Sequence, residues 1–142
     1  TMPAFVFMIP VIAFFGTGKV AAVIITMIFG GTPVVRLTVL GLKGVPQNIR
    51  EAAIAYGASK WYLLTKVDIP LAMPTILAGV NQTVMLSLAM VVVASLIGAK
   101  GLGQDVLEAL QYANVGQGIL AGIAILFVAL LLDRIVQGKK RV

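Results

Sequence analysis

Two short stretches carry the residue types of a phosphate site. FGTGKV (15–20) places a lysine behind a glycine, and GAKGLG (98–103) is rich in glycine. A phosphate-cradling loop needs a further glycine five residues before the Gly-Lys pair and a Ser or Thr after the lysine. Those positions hold Ala13 and Val20. A dinucleotide fingerprint needs a strand ahead of its glycines, and GAKGLG follows a long apolar run instead. Both stretches read as flexible turns, so this chain is not expected to bind nucleotide itself. Acid–base and metal chemistry lack material as well. The sequence has no His and no Cys, which removes disulfides, thiol nucleophiles, His-based zinc sites and the commonest general base. No catalytic residue, metal or cofactor is expected.

What remains is polar matter set in grease. Asn81, Gln82, Thr83 and Ser87 interrupt an apolar run, and polar groups at membrane depth face protein or water. They serve either helix–helix hydrogen bonding or a translocation path, and the residues alone leave both open. Asn81-Gln82-Thr83 also spells a glycosylation sequon, which has no meaning at that depth. Gly79, Thr83 and Ser87 form a small face at four-residue spacing, as do Gly118 and Gly122, and both favour close packing.

The elements that must position these residues are spans. Of 142 residues, 60% are hydrophobic and 11% charged, against about a quarter charged in soluble domains. Apolar runs approach the ~20 residues that cross a bilayer, and they do not alternate as barrel strands would. The fold class is an all-α membrane protein with about four transmembrane helices, read as one transmembrane domain over 1–142. The runs are 2–16, short and with Pro3 and Pro10; 20–42, with a kink or break expected at Gly30-Gly31-Thr32-Pro33; a third that follows Pro74 and extends to Ile97; and 119–135. The chain opens on Thr1 with a short first run, which suggests that helices precede it in a longer protein. Its start lacks the basic stretch of a signal peptide.

Eleven basic and five acidic residues give a net charge of +6. Basic loops stay cytoplasmic. With residues 43–72 and the tail inside, Arg36, Lys43, Arg50, Lys60, Lys66, Arg134, Lys139, Lys140 and Arg141 lie on the cytoplasmic side and Lys19 and Lys100 outside, nine and two of the eleven. The charge therefore reads as orientation rather than nucleic-acid binding, since no aromatics interleave with it to stack on bases. Asp133 and Arg134 are expected to be snorkelling or paired anchors. Gly101 to Tyr112 reads as a short amphipathic helix outside the membrane, with Val106, Leu107 and Leu110 inward and Asp105 and Glu108 exposed.

The segment 43–72 is different in kind. Pro46 suits the start of a helix, and Ile49, Ala52, Ala53 and Tyr56 then share one face. Gly57 fits a helix-ending position with positive φ. Ser59 is a candidate N-cap for a second helix through Trp61, Leu64 and Val67, which Pro70 is expected to stop. Ala52, Ala53, Ala55 and Ala58 would let another surface approach the backbone closely. Glu51 offers a carboxylate to the backbone or to a partner's Arg. The same residues also suit an interfacial helix resting on headgroups.

Glu51-Ala52-Ala53, then Gly57, then Val67-Asp68-Ile69-Pro70 resemble the EAA loop of bacterial ABC-importer permeases in every spacing, with conservative changes at the two aliphatic positions. The stretches 32–53 and 69–107 are similar to the glycine betaine/proline betaine branch, and the likeness covers essentially the whole chain as the C-terminal portion of such a permease. The resemblance implies that the loop is a coupling helix for a cytoplasmic ABC ATPase, assigned to Glu51, Ala52, Ala53, Gly57 and Ala58. It further implies a substrate-binding protein met by outer loops, and a location as a multi-pass protein of the bacterial inner membrane. The helix at 101–112 is either such a meeting point or a plain surface helix. A permease homodimer in membrane lipid, with no nucleic acid, completes the expected partners. The implied function is ATP-driven import of glycine betaine, proline betaine or a related quaternary-ammonium osmoprotectant, with ATP hydrolysed in the separate subunit. Alternatives are a methionine or other amino-acid importer permease and, in a different class, a nucleotide-independent channel. Aromatic faces hold quaternary ammonium, but Phe5, Phe7, Phe14, Phe15 and Phe29 read as packing residues rather than a cage.

Overall fold

The computed structural model describes residues 4–138. Pro3 of the first run and the basic tail residues Lys139, Lys140 and Arg141 lie outside the described residues. Seven α-helices follow one another: α1 (Ala4–Phe15), α2 (Lys19–Lys43), α3 (Gln47–Ala55), α4 (Lys60–Leu63), α5 (Ile69–Ser95), α6 (Leu102–Gln111) and α7 (Val115–Gln137). A five-residue π turn, Leu64–Asp68, joins α4 to α5. Among the described residues, three stretches are long and apolar enough to cross a membrane: Lys19–Lys43, Lys60–Ser95 and Val115–Gln137. The helix at the start is apolar but shorter, as its run implies.

The described residues fall into two compact units, and α2 and α5 each contribute to both. In the first, everything described up to Gly31 and from Thr83 onward, the core is Met8 and Val11 of α1, Ala21, Ala22 and Ile25 of α2, Met90 of α5 and Ile97 just past its C-terminal end. The Gly18 N–H donates to the Ile97 carbonyl at 2.8 Å, fastening the α1–α2 turn to that end. Gly103 lets α6 lie on the Val91 carbonyl of α5, where any Cβ would overlap. Gly118 brings α7 against Ala109, which a Cβ would meet at 3.3 Å.

In the second unit, Thr32–Gln82, α2 and α5 meet through glycine again. A Cβ on Gly79 would stand 3.0 Å from Leu37 Cβ and 3.1 Å from Val34 Cα, and one on Gly41 would stand 3.0 Å from Thr75 Cβ. Small residues allow this approach where lipid supplies no hydrophobic drive between helices. Val45, Leu63 and Ala72 are buried beside them.

Several expectations change. No break occurs at Gly30–Pro33, because α2 runs through with Pro33 inside it; Gly30 instead makes room for Ser87, whose Oγ would lie 2.5 Å from a Cβ there. Pro70 does not stop the second insert helix, and Pro74 lies inside α5 rather than before it. The π turn accounts for the first of these. The Ile69 N–H reaches back five residues to the Leu64 carbonyl, widening the helix just where the Pro70 ring would strike the preceding turn. In α6, Leu110 is exposed rather than inward, and the buried positions are Gly103 and Ala109. Glu108 is half-buried and accepts from Gln104 Nε2 at 2.8 Å. Gly122 has open space around it, with nothing within 4 Å of a Cβ. Asp133 accepts from Gln137 at 2.8 Å rather than pairing with Arg134.

Candidate functional site: an exposed helix–turn–helix

α3 is short because its caps are close. Pro46, with extended backbone, precedes Gln47. At the other end the Tyr56 N–H donates to the Ala52 carbonyl at 3.1 Å, the Gly57 N–H to Ile54 at 2.9 Å and the Ala58 N–H to Ala53 at 3.1 Å. Gly57 takes φ +85°, a left-handed conformation that only glycine adopts without strain. Ser59 then caps α4, its Oγ accepting from the Tyr62 N–H at 3.2 Å. These are the roles that the spacing assigns to Gly57 and Ser59.

No residue of α3 is buried. Glu51 and Ala52 are exposed, and Ala53 and Ala58 are half-buried. The Glu51 carboxylate has no ion-pair or hydrogen-bond partner among the described residues. The same element also exposes Tyr56, at 94%, Trp61 and Tyr62. Ala53, Tyr56, Gly57, Ala58, Ser59 and Tyr62 line an open concavity at the turn. The surface thus sets large amphipathic aromatics, which interface cores favour, around a floor of small residues that leaves the backbone open to close approach. Under α3, Arg50 Nε lies 3.3 Å from Oδ1 of Asp68, the last residue of the π turn. Sequence reading passed over both: Arg50 looked like an orientation charge, and Asp68 part of an aliphatic motif.

The polar residues of α5 divide. Gln82 is exposed, while Asn81, Thr83 and Ser87 are half-buried. Asn81 Oδ1 and Thr83 Oγ1 are buried atoms that find no hydrogen-bond partner among the described residues. Phe14 is 84% exposed, Phe5 and Phe15 are exposed, and Phe29 packs on the first unit's core. These aromatics do not converge on a cage.

Apolar helices of spanning length, together with one polar, exposed helix–turn–helix, define a polytopic helical membrane protein. Residues 1–138 match the profile of the binding-protein-dependent transport system inner membrane component, and the chain belongs to that family. It is 48% identical over 141 residues to the glycine betaine/proline betaine transport system permease protein ProW of Salmonella typhimurium, covering 99% of this chain and 40% of that protein. It is 50% identical over 140 residues to the glycine betaine transport system permease protein OpuAB of Bacillus subtilis, covering 99% of this chain and 50% of that one. The trimethylamine N-oxide transport system permease protein TmoV of Pelagibacter ubique is 46% identical over 134 residues, 94% of this chain and 19% of the relative. The chain thus spans half or less of the length of these relatives.

Proposed function

We propose that the chain is the coupling portion of a permease subunit in an ATP-driven importer of the bacterial inner membrane. Its cargo is glycine betaine, proline betaine or a related quaternary-ammonium osmoprotectant. The observation that carries the reading is the α3–α4 element: a helix with no buried residue, free Glu51, small Ala52, Ala53 and Ala58, and a glycine turn at Gly57. Relatives at about half identity over nearly the whole chain, named for glycine betaine transport, support the cargo.

In this account two permease copies enclose the path and a periplasmic or lipid-anchored binding protein delivers the solute to their outer side. ATP binding closes the partner ATPases, and α3, seated on one of them, moves with it. The motion biases an equilibrium between inward- and outward-open bundles. No covalent step falls to this chain. Asn81, Thr83 and Ser87 serve helix packing or the path between copies, and Gln82, exposed at the middle of α5, faces protein or water in the assembled dimer.

The test is uptake of labelled glycine betaine by the full-length permease assembled with its ATPase and binding protein in proteoliposomes. The account expects uptake that requires ATP and is lost on Glu51→Ala while hydrolysis continues. Unchanged uptake in that variant refutes the coupling role, and flux without nucleotide favours a channel. Binding of betaine, proline betaine, choline and methionine to the isolated binding protein decides the cargo.

A further inference from the structure

Asp68 is the buried carboxylate among the described residues, 6% exposed, and it closes the π turn from which α5 starts. The cation facing it is Arg50 of α3, with side-chain exposures of 44% for Arg50 and 8% for Asp68. The guanidinium approaches Oδ1 obliquely, so the contact is a charge pair without a directed hydrogen bond. It is the ion pair found among the described residues, and it ties an element with no buried side chain to the base of a 27-residue helix.

Three features make this tie mechanical rather than decorative. Arg50 lies off the face of Ile49, Ala52, Ala53 and Tyr56, so a partner can cover that face and leave the pair intact. Asp68 has little else to compensate its charge, and a buried carboxylate parted from its cation is costly; the pair resists separation where alanine contacts would slide. The π turn is a local irregularity of the kind found at functional sites, and Asp68 sits in it.

We infer that Arg50 and Asp68 form a strut through which displacement of α3 reaches α5, making both positioning residues for transport. The inference rests on the coupling role proposed for α3. A partner's push on the outer face moves the Arg50 guanidinium, Asp68 follows, and the π turn yields or transmits at the foot of the span.

The experiment compares Arg50→Gln, Arg50→Lys and the charge exchange Arg50→Asp with Asp68→Arg in the full-length, fully assembled transporter. The readout is ATP hydrolysed per glycine betaine imported, together with co-purification of the ATPase. Arg50→Gln is expected to raise that ratio at least about fivefold, the lower end of measured coupling between sites, with the ATPase still bound. Arg50→Lys, which keeps the charge, is expected to recover most of the loss, and the exchange to do better than Arg50→Asp alone. A ratio unchanged in Arg50→Gln overturns the strut, as does a Lys variant no better than the Gln one. Gly57→Val, measured in parallel, separates the two ideas. If it uncouples while Arg50→Gln does not, the strut alone fails; if neither changes the ratio, the coupling role of α3 fails with it.

Discussion

Substitution at Gly57 gives the sharpest mutational test, because the structure isolates one cause. The residue has φ +85°, and an ideal Cβ there meets nothing within 4 Å. Steric clash is therefore absent, and the cost of a side chain is conformational. A left-handed conformation costs an L-residue about 1–2 kcal/mol, which is a factor of roughly 5–30 in the population holding the turn. Asn tolerates this conformation better than other side chains, and a β-branched residue tolerates it worst. The order of transport per ATP hydrolysed should then be Gly, Asn, Ala, Val, with the assembled complex retained throughout. Proteoliposome uptake and hydrolysis measured on the same preparations read that order directly. Val equal to Gly would refute the turn argument. Asn as poor as Val would refute it differently, showing that bulk against a partner, not backbone conformation, is what matters at this position.

Packing and capping give further outcomes. Gly79→Ala puts a Cβ 3.1 Å from the Val34 backbone, so detergent-solubilised protein should lose about 1–3 kcal/mol, as overpacked cores do, and melt at a lower temperature. Gly122→Ala, with open space around it, should leave the melting temperature unchanged or raise it; a fall matching that of Gly79→Ala contradicts the assignment. Ser59→Ala removes the bond to the Tyr62 N–H and should cost about 0.5–2 kcal/mol locally, seen as faster amide exchange in α4 with α7 unaffected.

Much of the architecture is legible in the residues. Apolar length fixes three spans and a shorter first helix. The turn chemistry of Gly57 and Ser59 is local, so the structure realises it as spacing implies. Misreadings fall where tertiary context decides. Pro33 and Pro70 look like breakers, yet α2 runs on through Pro33 and a π turn accommodates Pro70, and neither circumstance has a sequence signal. Leu110 faces outward because glycine and alanine, not the larger side chains, make the close contacts of α6. The candidate coupling surface was visible as alanines around a glycine. The Arg50–Asp68 pair was not, since its members lie eighteen positions apart and only the return of the chain through the α3–α4 turn brings them together.

The central claim is that the α3 face seats on a separate ATPase, and within these 142 residues no native cysteine competes with one placed on that face. Ala52→Cys, carrying a short bifunctional thiol reagent, would be introduced into the full-length permease and crosslinked in the assembled transporter. A covalent permease–ATPase product, altered in yield by ATP, is the predicted result. Labelling of that cysteine by a bilayer-confined probe, or by a reagent restricted to the periplasmic side, with no such product, would contradict it.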